Sequence, residues 1–228
     1  RLSEHIEGLR LSEQTRSALA ATDALYAGSE GVVRAATPNQ VLEAMVKATA
    51  LKTFERGLII MFNSAWDATM PDLGSVAAVW ESSGGQALAP VGATSPVSRL
   101  PFLTVINKDT PIFVEDIQND ARVDENTRAN LGGLARSIAL FPLVVAEQWI
   151  GVLMMTSPQP VAFSEAQFRQ AGSLIGQGAA VVQGLRLLEE TQGRARREQM
   201  LRQVTERVRT ATDPEQVLRL AAREVGAA

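Results

Sequence analysis

Ser137-Ile138-Ala139-Leu140-Phe141-Pro142-Leu143-Val144-Val145, a break at Ala146-Glu147, then Gln148-Trp149-Ile150-Gly151-Val152-Leu153-Met154-Met155-Thr156: two apolar runs of strand length stand either side of a two-residue turn. So short a connection joins antiparallel neighbours, because parallel strands need a long crossover. Neither run approaches the ~18–20 apolar residues of a membrane-spanning helix, and Pro142 interrupts the first. The pair is expected to be a hairpin at the heart of a sheet.

Working outward, the period-two or continuous apolar pattern recurs upstream. Gly57 to Phe62 and Ser75 to Trp80 are strand candidates separated by a loop with Pro71 and Gly74, and Ser82-Ser83-Gly84-Gly85 closes that pair. An irregular region from Gln86 to Asn107 carries Pro90, Pro96 and Pro101, then Pro111 to Val114 is a short strand. Arg122 to Leu131 is a short helix stopped by Gly132-Gly133, and a long helix opens at Phe163-Ser164-Glu165 with Ser164 as its cap. Thr37-Pro38 caps and starts another helix, whose apolar stripe of Val41, Leu42, Met45 and Val46 should pack on the sheet. The fold class is therefore α+β, a central antiparallel sheet of about five or six strands with helices on one face.

The flanks differ in kind. In residues 1–36, Leu11, Ala18, Leu25 and Val32 recur every seven positions, with the mostly small Gln14, Ala21, Gly28 and Ala35 between them. The same register returns near the C-terminus as Leu187, Arg194, Leu201 and Val208, beside Glu190, Arg197, Val204 and Ala211. Leu174, Gly178, Val181, Leu185 and Leu188 keep a different phase, so the long helix changes face along its length. Val33-Arg34-Ala35-Ala36-Thr37-Pro38 itself recurs as Val208-Arg209-Thr210-Ala211-Thr212-Asp213-Pro214. Repetition at domain length marks a modular array. The expected organisation is an N-terminal coiled-coil-type signalling helix (1–36), a domain (37–183), a C-terminal signalling helix (184–212) and the first helix of a following module (213–228), cut from a longer protein.

Ile138 to Leu143, Trp149-Ile150-Gly151-Val152-Leu153, Phe163-Ser164-Glu165 and Pro111 to Ile117 with Asp120-Ala121-Arg122-Val123 together resemble, in order, the motifs of a GAF domain. Leu187-Leu188-Glu189-Glu190-Thr191-Gln192 and Leu11-Ser12-Glu13-Gln14-Thr15 are similar to the linkers between tandem GAF modules in bacterial multi-domain sensor histidine kinases. The resemblance implies a non-catalytic, ligand-sensing module of a two-component system that passes its state along dimeric coaxial helices to adjacent sensor and output domains. The alternative is a ligand-free dimerisation and spacer module.

In such a module the ligand sits between the sheet and the loops covering one face. Mapped by order, the candidate ligand-binding residues are Trp80, Phe102, Phe113, Asp116, Arg122 and Trp149; for the aromatics the competing role is ordinary core, and for Asp116 and Arg122 a loop-ordering ion pair. Dimerisation is expected through Leu11, Leu25, Val32, Leu185, Leu188, Leu201, Val204 and Val208. No catalytic or metal site is expected. The chain has no cysteine, which removes thiol nucleophiles, thiolate metal sites and the attachment point that bilin-binding members use. Its single histidine, His5, precedes the domain, so the haem ligand of haem-binding members is missing too, and no cofactor is expected. Thr156-Ser157 stands where cyclic-nucleotide members carry Asn-Lys. A net charge of −3, with the arginines from Arg194 to Arg209 interleaved with glutamates, gives no footprint for nucleic acid. A cytoplasmic location is the expectation.

Overall fold

The computed structural model describes residues 19–20, 22–82, 87–131, 133 and 135–210. The chain forms two compact units, Arg1–Gln183 and Gly184–Ala228. In the first unit a helix over 22–34 (α1) leads to α2 (Pro38–Ala48), β1 (Arg56–Trp66), β2 (Leu73–Glu81), β3 (Thr94–Pro96), β4 (Ile112–Val114), α3 (Glu125–Leu131), β5 (Ser137–Val145), β6 (Gln148–Ser157) and the start of α4 (Glu165–Thr210). The strands make one six-stranded antiparallel sheet in the order β3-β2-β1-β6-β5-β4. The β5–β6 hairpin lies where its sequence placed it, but β3 falls inside the region expected to be irregular.

Local chemistry sets the ends of these elements. Thr37 Oγ1 accepts from the Gln40 amide while Gln40 Oε1 accepts from Ala36, a reciprocal cap ahead of Pro38 at the first helical position. Ser164 and Gln167 repeat the device at the start of α4. At the other end of α2, the Thr49 hydroxyl donates to Met45 O and accepts from Leu51 N–H, turning the helix into a 3-10 turn over Ala50–Thr53.

Strand β6 is buried along nearly its whole length and β1 through its first half, so both faces of the sheet must be covered. One face takes helices. Ala171, Leu174, Ile175, Ala179 and Val182 of α4 are buried at helical spacing, and Gly178 lets Met45 and Val41 of α2 approach that helix closely. An aromatic cluster continues the layer: Phe163 and Phe168 of the α4 region pack with Phe54, Phe113 and Phe141. Helix α1 joins it through its small residues. A Cβ on Gly28 would collide with Ala48 and press on Leu174, and Ser29 donates to Gln177 at 2.7 Å.

That contact corrects one part of the dimer expectation. The small-residue side of the N-terminal seam meets α2 and α4 of its own domain, and Val32 is wholly buried there, so Val32 is core. Leu25 is half-buried. The large apolar residues that α1 and the two residues ahead of it leave in solvent are Leu19, Tyr26 and Val33, at 63%, 76% and 69% exposure, a stripe one position round from the expected one. In the second unit, helical over 184–210, Leu188 and Leu201 are exposed while Leu185 and Val204 are half-buried. Leu11, and the side chain of Val208, lie outside the described residues. Among the described residues no helix is long and apolar enough to cross a membrane.

The other sheet face is covered by the described residues of 88–131, 133 and 135, which hold only short elements. Its core runs from Leu58, Ile60 and Phe62 of β1 through Val152 and Met154 of β6 to Phe102, Leu103, Ile106, Ile117 and Val123 of the cover. The register of β1 on β2 skips Ala77, which bulges out: Ile59 pairs with Ala78 but Ile60 with Val76. A bulge of one residue reverses the facing of everything beyond it. Val76 and Gly74 therefore look into the cover side, whereas Ala78 and Trp80 look toward the helices.

The β5–β6 turn places Ala146 at φ 48° and Glu147 at φ 63°. Two-residue hairpins need this left-handed backbone, which glycine and asparagine tolerate better than alanine or glutamate. The double substitution Ala146→Asn/Glu147→Gly is expected to stabilise the domain by about 1 kcal/mol, measured by urea unfolding. An unchanged or lower midpoint would show that the turn is unstrained.

Candidate functional site

A cavity of about 370 Å3 opens between the sheet and its irregular cover. Leu58 and Ile60 of β1, Gly74 and Val76 of β2 and Met154 of β6 form its floor; Leu88, Ala89 and Ala93, with Leu100 and Phe102, form its wall, and Leu131 with Asn130 of α3 its roof. The floor residues Leu58, Ile60 and Met154 are almost fully buried, whereas Thr94 and Asn130, also lining it, are exposed. The chamber thus has an apolar base and a polar rim. Gly74 matters to its shape, since a Cβ there would stand 2.9 Å from Ile60 Cγ2 and reach toward Leu100.

Of the six candidate ligand-binding residues, Phe102 lines this cavity. The other five lie away from it. Trp80 faces the helix layer because of the Ala77 bulge: it pairs with Gly57, whose missing side chain would meet Met155 and the Trp80 Cβ. Phe113 pairs with Ala139 and joins Phe54, Phe163 and Phe168 on that same helix side. Trp149 belongs to the cover-side core but away from the cavity, stacked on Trp66 at 4.5 Å with its indole N–H donating to Gly151 O at 2.7 Å. Asp116 and Arg122 are structural ions, and not with each other: Asp116 takes a two-pronged contact from Arg136, and Arg122 grips Asp120 while donating to Phe113 O.

These ions belong to a set of polar stitches that fix the cover. The Arg136 guanidinium donates to both Asp116 oxygens and holds that carboxyl at about 2, well below its ordinary 3.8. Arg122 likewise lowers Asp120. Asp124 caps α3, accepting from the Thr127 hydroxyl at 2.7 Å and its amide at 2.9 Å, and also from Thr104 at 3.0 Å. Those bonds, led by the Thr127 hydroxyl, bring its carboxyl to about 2. Asp124 thereby ties the turn carrying Phe102 (Pro101–Thr104) to the helix carrying Leu131. Arg128 donates to Ile117, Asp120 and Val123 carbonyls, tying down the loop between. Asp124 and Arg128 were not singled out by sequence, although Asp124-Glu125-Asn126-Thr127 ahead of a short helix is a cap pattern. The small apolar residues Leu88, Ala89 and Ala93 carry no chemical signal that finds them.

Because Asp116, Asp120 and Asp124 titrate lower in the folded chain than unfolded, the stability they contribute is complete above about pH 4 and disappears as pH falls toward 2. Asp124→Asn is expected to speed amide exchange in α3 and at residues 101–105 by about tenfold at neutral pH, and to flatten the acid dependence of that exchange between pH 4 and 2. Unchanged exchange in both windows would remove Asp124 as the tie between roof and wall.

The comparisons with known proteins agree with this architecture. A family model described as GAF domain matches residues 35–183. Among curated proteins no significant sequence match is found. Among solved structures, the chain is similar to the chromophore-binding domain of the bacteriophytochrome RpBphP3 from R. palustris, with 14% identity and a TM-score of 0.57 over 74% of this chain and 62% of that one. It is similar to the GAF domain of the Acinetobacter phosphoenolpyruvate-protein phosphotransferase, with 17% identity and a TM-score of 0.55 over 75% of this chain and 97% of that one. The Stigmatella aurantiaca phytochrome photosensory core module gives 16% identity and a TM-score of 0.59 over 88% of this chain and 43% of that one. The chain thus spans less than two thirds of either phytochrome piece, and at such identities the likeness concerns the fold. With its antiparallel six-stranded sheet, helices on one face and a loop-covered cavity on the other, the chain belongs to the GAF domain family.

Proposed function

We propose that this domain is a non-catalytic sensing module whose ligand occupies the cavity between the sheet and its cover, within a bacterial signalling protein that the linker motifs make akin to a sensor histidine kinase. GAF domains are small-molecule-sensing regulatory modules of signalling proteins. The observation that carries the reading here is the open chamber of about 370 Å3. A spacer domain has no use for such a void, since unfilled apolar volume forfeits packing energy. None of Trp80, Phe113 and Trp149 fills it. The fold neighbours include a phycocyanobilin-bound GAF domain from a cyanobacterial phytochrome. This chain lacks cysteine, so a covalently held pigment of that kind is not the ligand we propose.

Relay through a homodimer is the second part of the proposal. The stripe of Leu19, Tyr26 and Val33 spaced by seven residues is the surface α1 leaves for a second chain, and Leu188 and Leu201 are exposed on the C-terminal helix. For relay, ligand must favour one helix arrangement over another. Adjacent modules in the parent chain would receive that difference.

Native mass spectrometry of the chain purified from its source is expected to show a non-covalent mass of a few hundred daltons that disappears on unfolding. Ligand-free protein whose melting temperature is also unmoved by a metabolite extract favours the spacer reading instead. In sedimentation, Tyr26→Asp is expected to weaken self-association by tenfold or more, about 1.4 kcal/mol. A chain that is monomeric at high concentration without any substitution would overturn the dimer.

A further inference from the structure

We propose that the cavity takes an uncharged, largely apolar ligand with the bulk of one to three small rings and a single hydrogen-bonding group directed at the rim. This rests on the sensing reading and specifies its ligand class. Three observations carry it.

The first is the lining. Among the described residues that line the cavity there is no acid, base or histidine; its base is Leu58, Ile60, Val76 and Met154, closed by Leu100 and Phe102. A charged group placed against such walls would lose its hydration and meet no countercharge, a cost that excludes it in favour of a neutral analogue.

The second is the disposition of the charges nearby. The charges the structure pairs there are directed at other parts of the cover: Arg136 at Asp116, Arg122 at Asp120 and the Phe113 carbonyl, Arg128 at three carbonyls, Asp124 at Thr104 and Thr127. Turning any of them inward to meet an ionic ligand would break the stitches that close the chamber.

The third is size and the single polar edge. An apolar cavity of roughly 150 Å3 accommodates benzene, so one of about 370 Å3 holds a bicyclic or small tricyclic body. The polar groups available are those of Thr94 and Ser95 on β3 and of Asn130 on α3. The Asn130 side-chain amide donates to Asn126 O and Oδ1, bonds that leave its own Oδ1 as an acceptor for a ligand hydroxyl or amide N–H. Because Thr94 and Asn130 are exposed and the aliphatic floor is not, the polar end of the ligand points out.

Matched probes test this on the full chain. Benzyl, 1-naphthylmethyl and 1-adamantylmethyl bodies, each as alcohol, as the carboxylate two oxidation steps above it, and as ammonium, are compared by saturation-transfer NMR and thermal shift. Two separately blocked variants, Ala93→Phe and Leu88→Trp, guard against a single substitution that unfolds the cover. The expected result is that at least one alcohol binds about tenfold or more tightly than its charged partners, and that its affinity falls by about tenfold or more in a folded blocked variant. If the charged partners bind as tightly or more tightly, and the blocks weaken them, the ligand class is wrong while the sensing site stands. If no probe binds the unblocked chain, or binding ignores both blocks, the ligand class and the sensing reading fall together.

Discussion

A sheet that is apolar on both faces must find two covers, and the rest of this structure depends on how unequal those covers are. Strand β1 sends Leu58, Ile60 and Phe62 one way and Ile59 and Met61 the other, and all five are buried. Helices close the Ile59 face with regular, interdigitating ridges, helped by Gly28 and Gly178, which let backbones approach. The Leu58 face is closed by a stretch with only three-residue strands, 3-10 turns and a seven-residue helix. Short elements have few side chains to aim at any one point of a flat sheet. The first cover lays long helices along the sheet; the second holds a chamber against it.

How much of this was legible follows from the range of the interactions. The β5–β6 hairpin, the caps at Thr37-Pro38 and Ser164, and the helical stripe of Val41, Leu42, Met45 and Val46 are set by neighbours within a few residues, and the sequence reading located them all. The family-like order of short motifs holds as well, since they are β5, β6, the start of α4 and the segment around β4. The third strand escaped because Thr94–Pro96 pairs with β2 across some twenty residues of chain and is only three residues long.

The candidate site was less legible, and Trp80 shows why. In sequence it stands four residues after Val76, so strict alternation puts both on one face. The bulge at Ala77 cancels that inference, and nothing in Ser75-Val76-Ala77-Ala78-Val79-Trp80 announces it; the extra residue is defined only against β1. Phe113 turns away from the cavity for a related reason: three residues of strand offer two faces, and the Phe54–Phe163–Phe168 cluster that claims its ring comes from distant parts of the chain. Charge misled as well. Asp116 and Arg122 lie in a loop beside the site, as ligand-binding residues often do, but a loop without regular hydrogen bonding must satisfy its own backbone and anchor itself. The same want of regular structure that leaves room for a ligand makes the loop consume its charges as fasteners.

That division of labour bears on how the site would respond to an occupant. Side chains on the floor belong to strands whose backbones are fixed on both sides, β1 by β2 and β6, and β6 by β1 and β5. They cannot yield far. The side chain of Asp124 ties wall to roof, joining the turn of Phe102 to the helix of Leu131. Expansion of the chamber by an occupant would therefore load that tie before it disturbed the sheet. Where wall meets roof through partly exposed polar contacts, the two part at lower cost than packed surfaces do, because water replaces the lost hydrogen bonds as each contact parts. The cavity-facing side of the sheet is thus the compliant one, and the helix-facing side the one that keeps its shape.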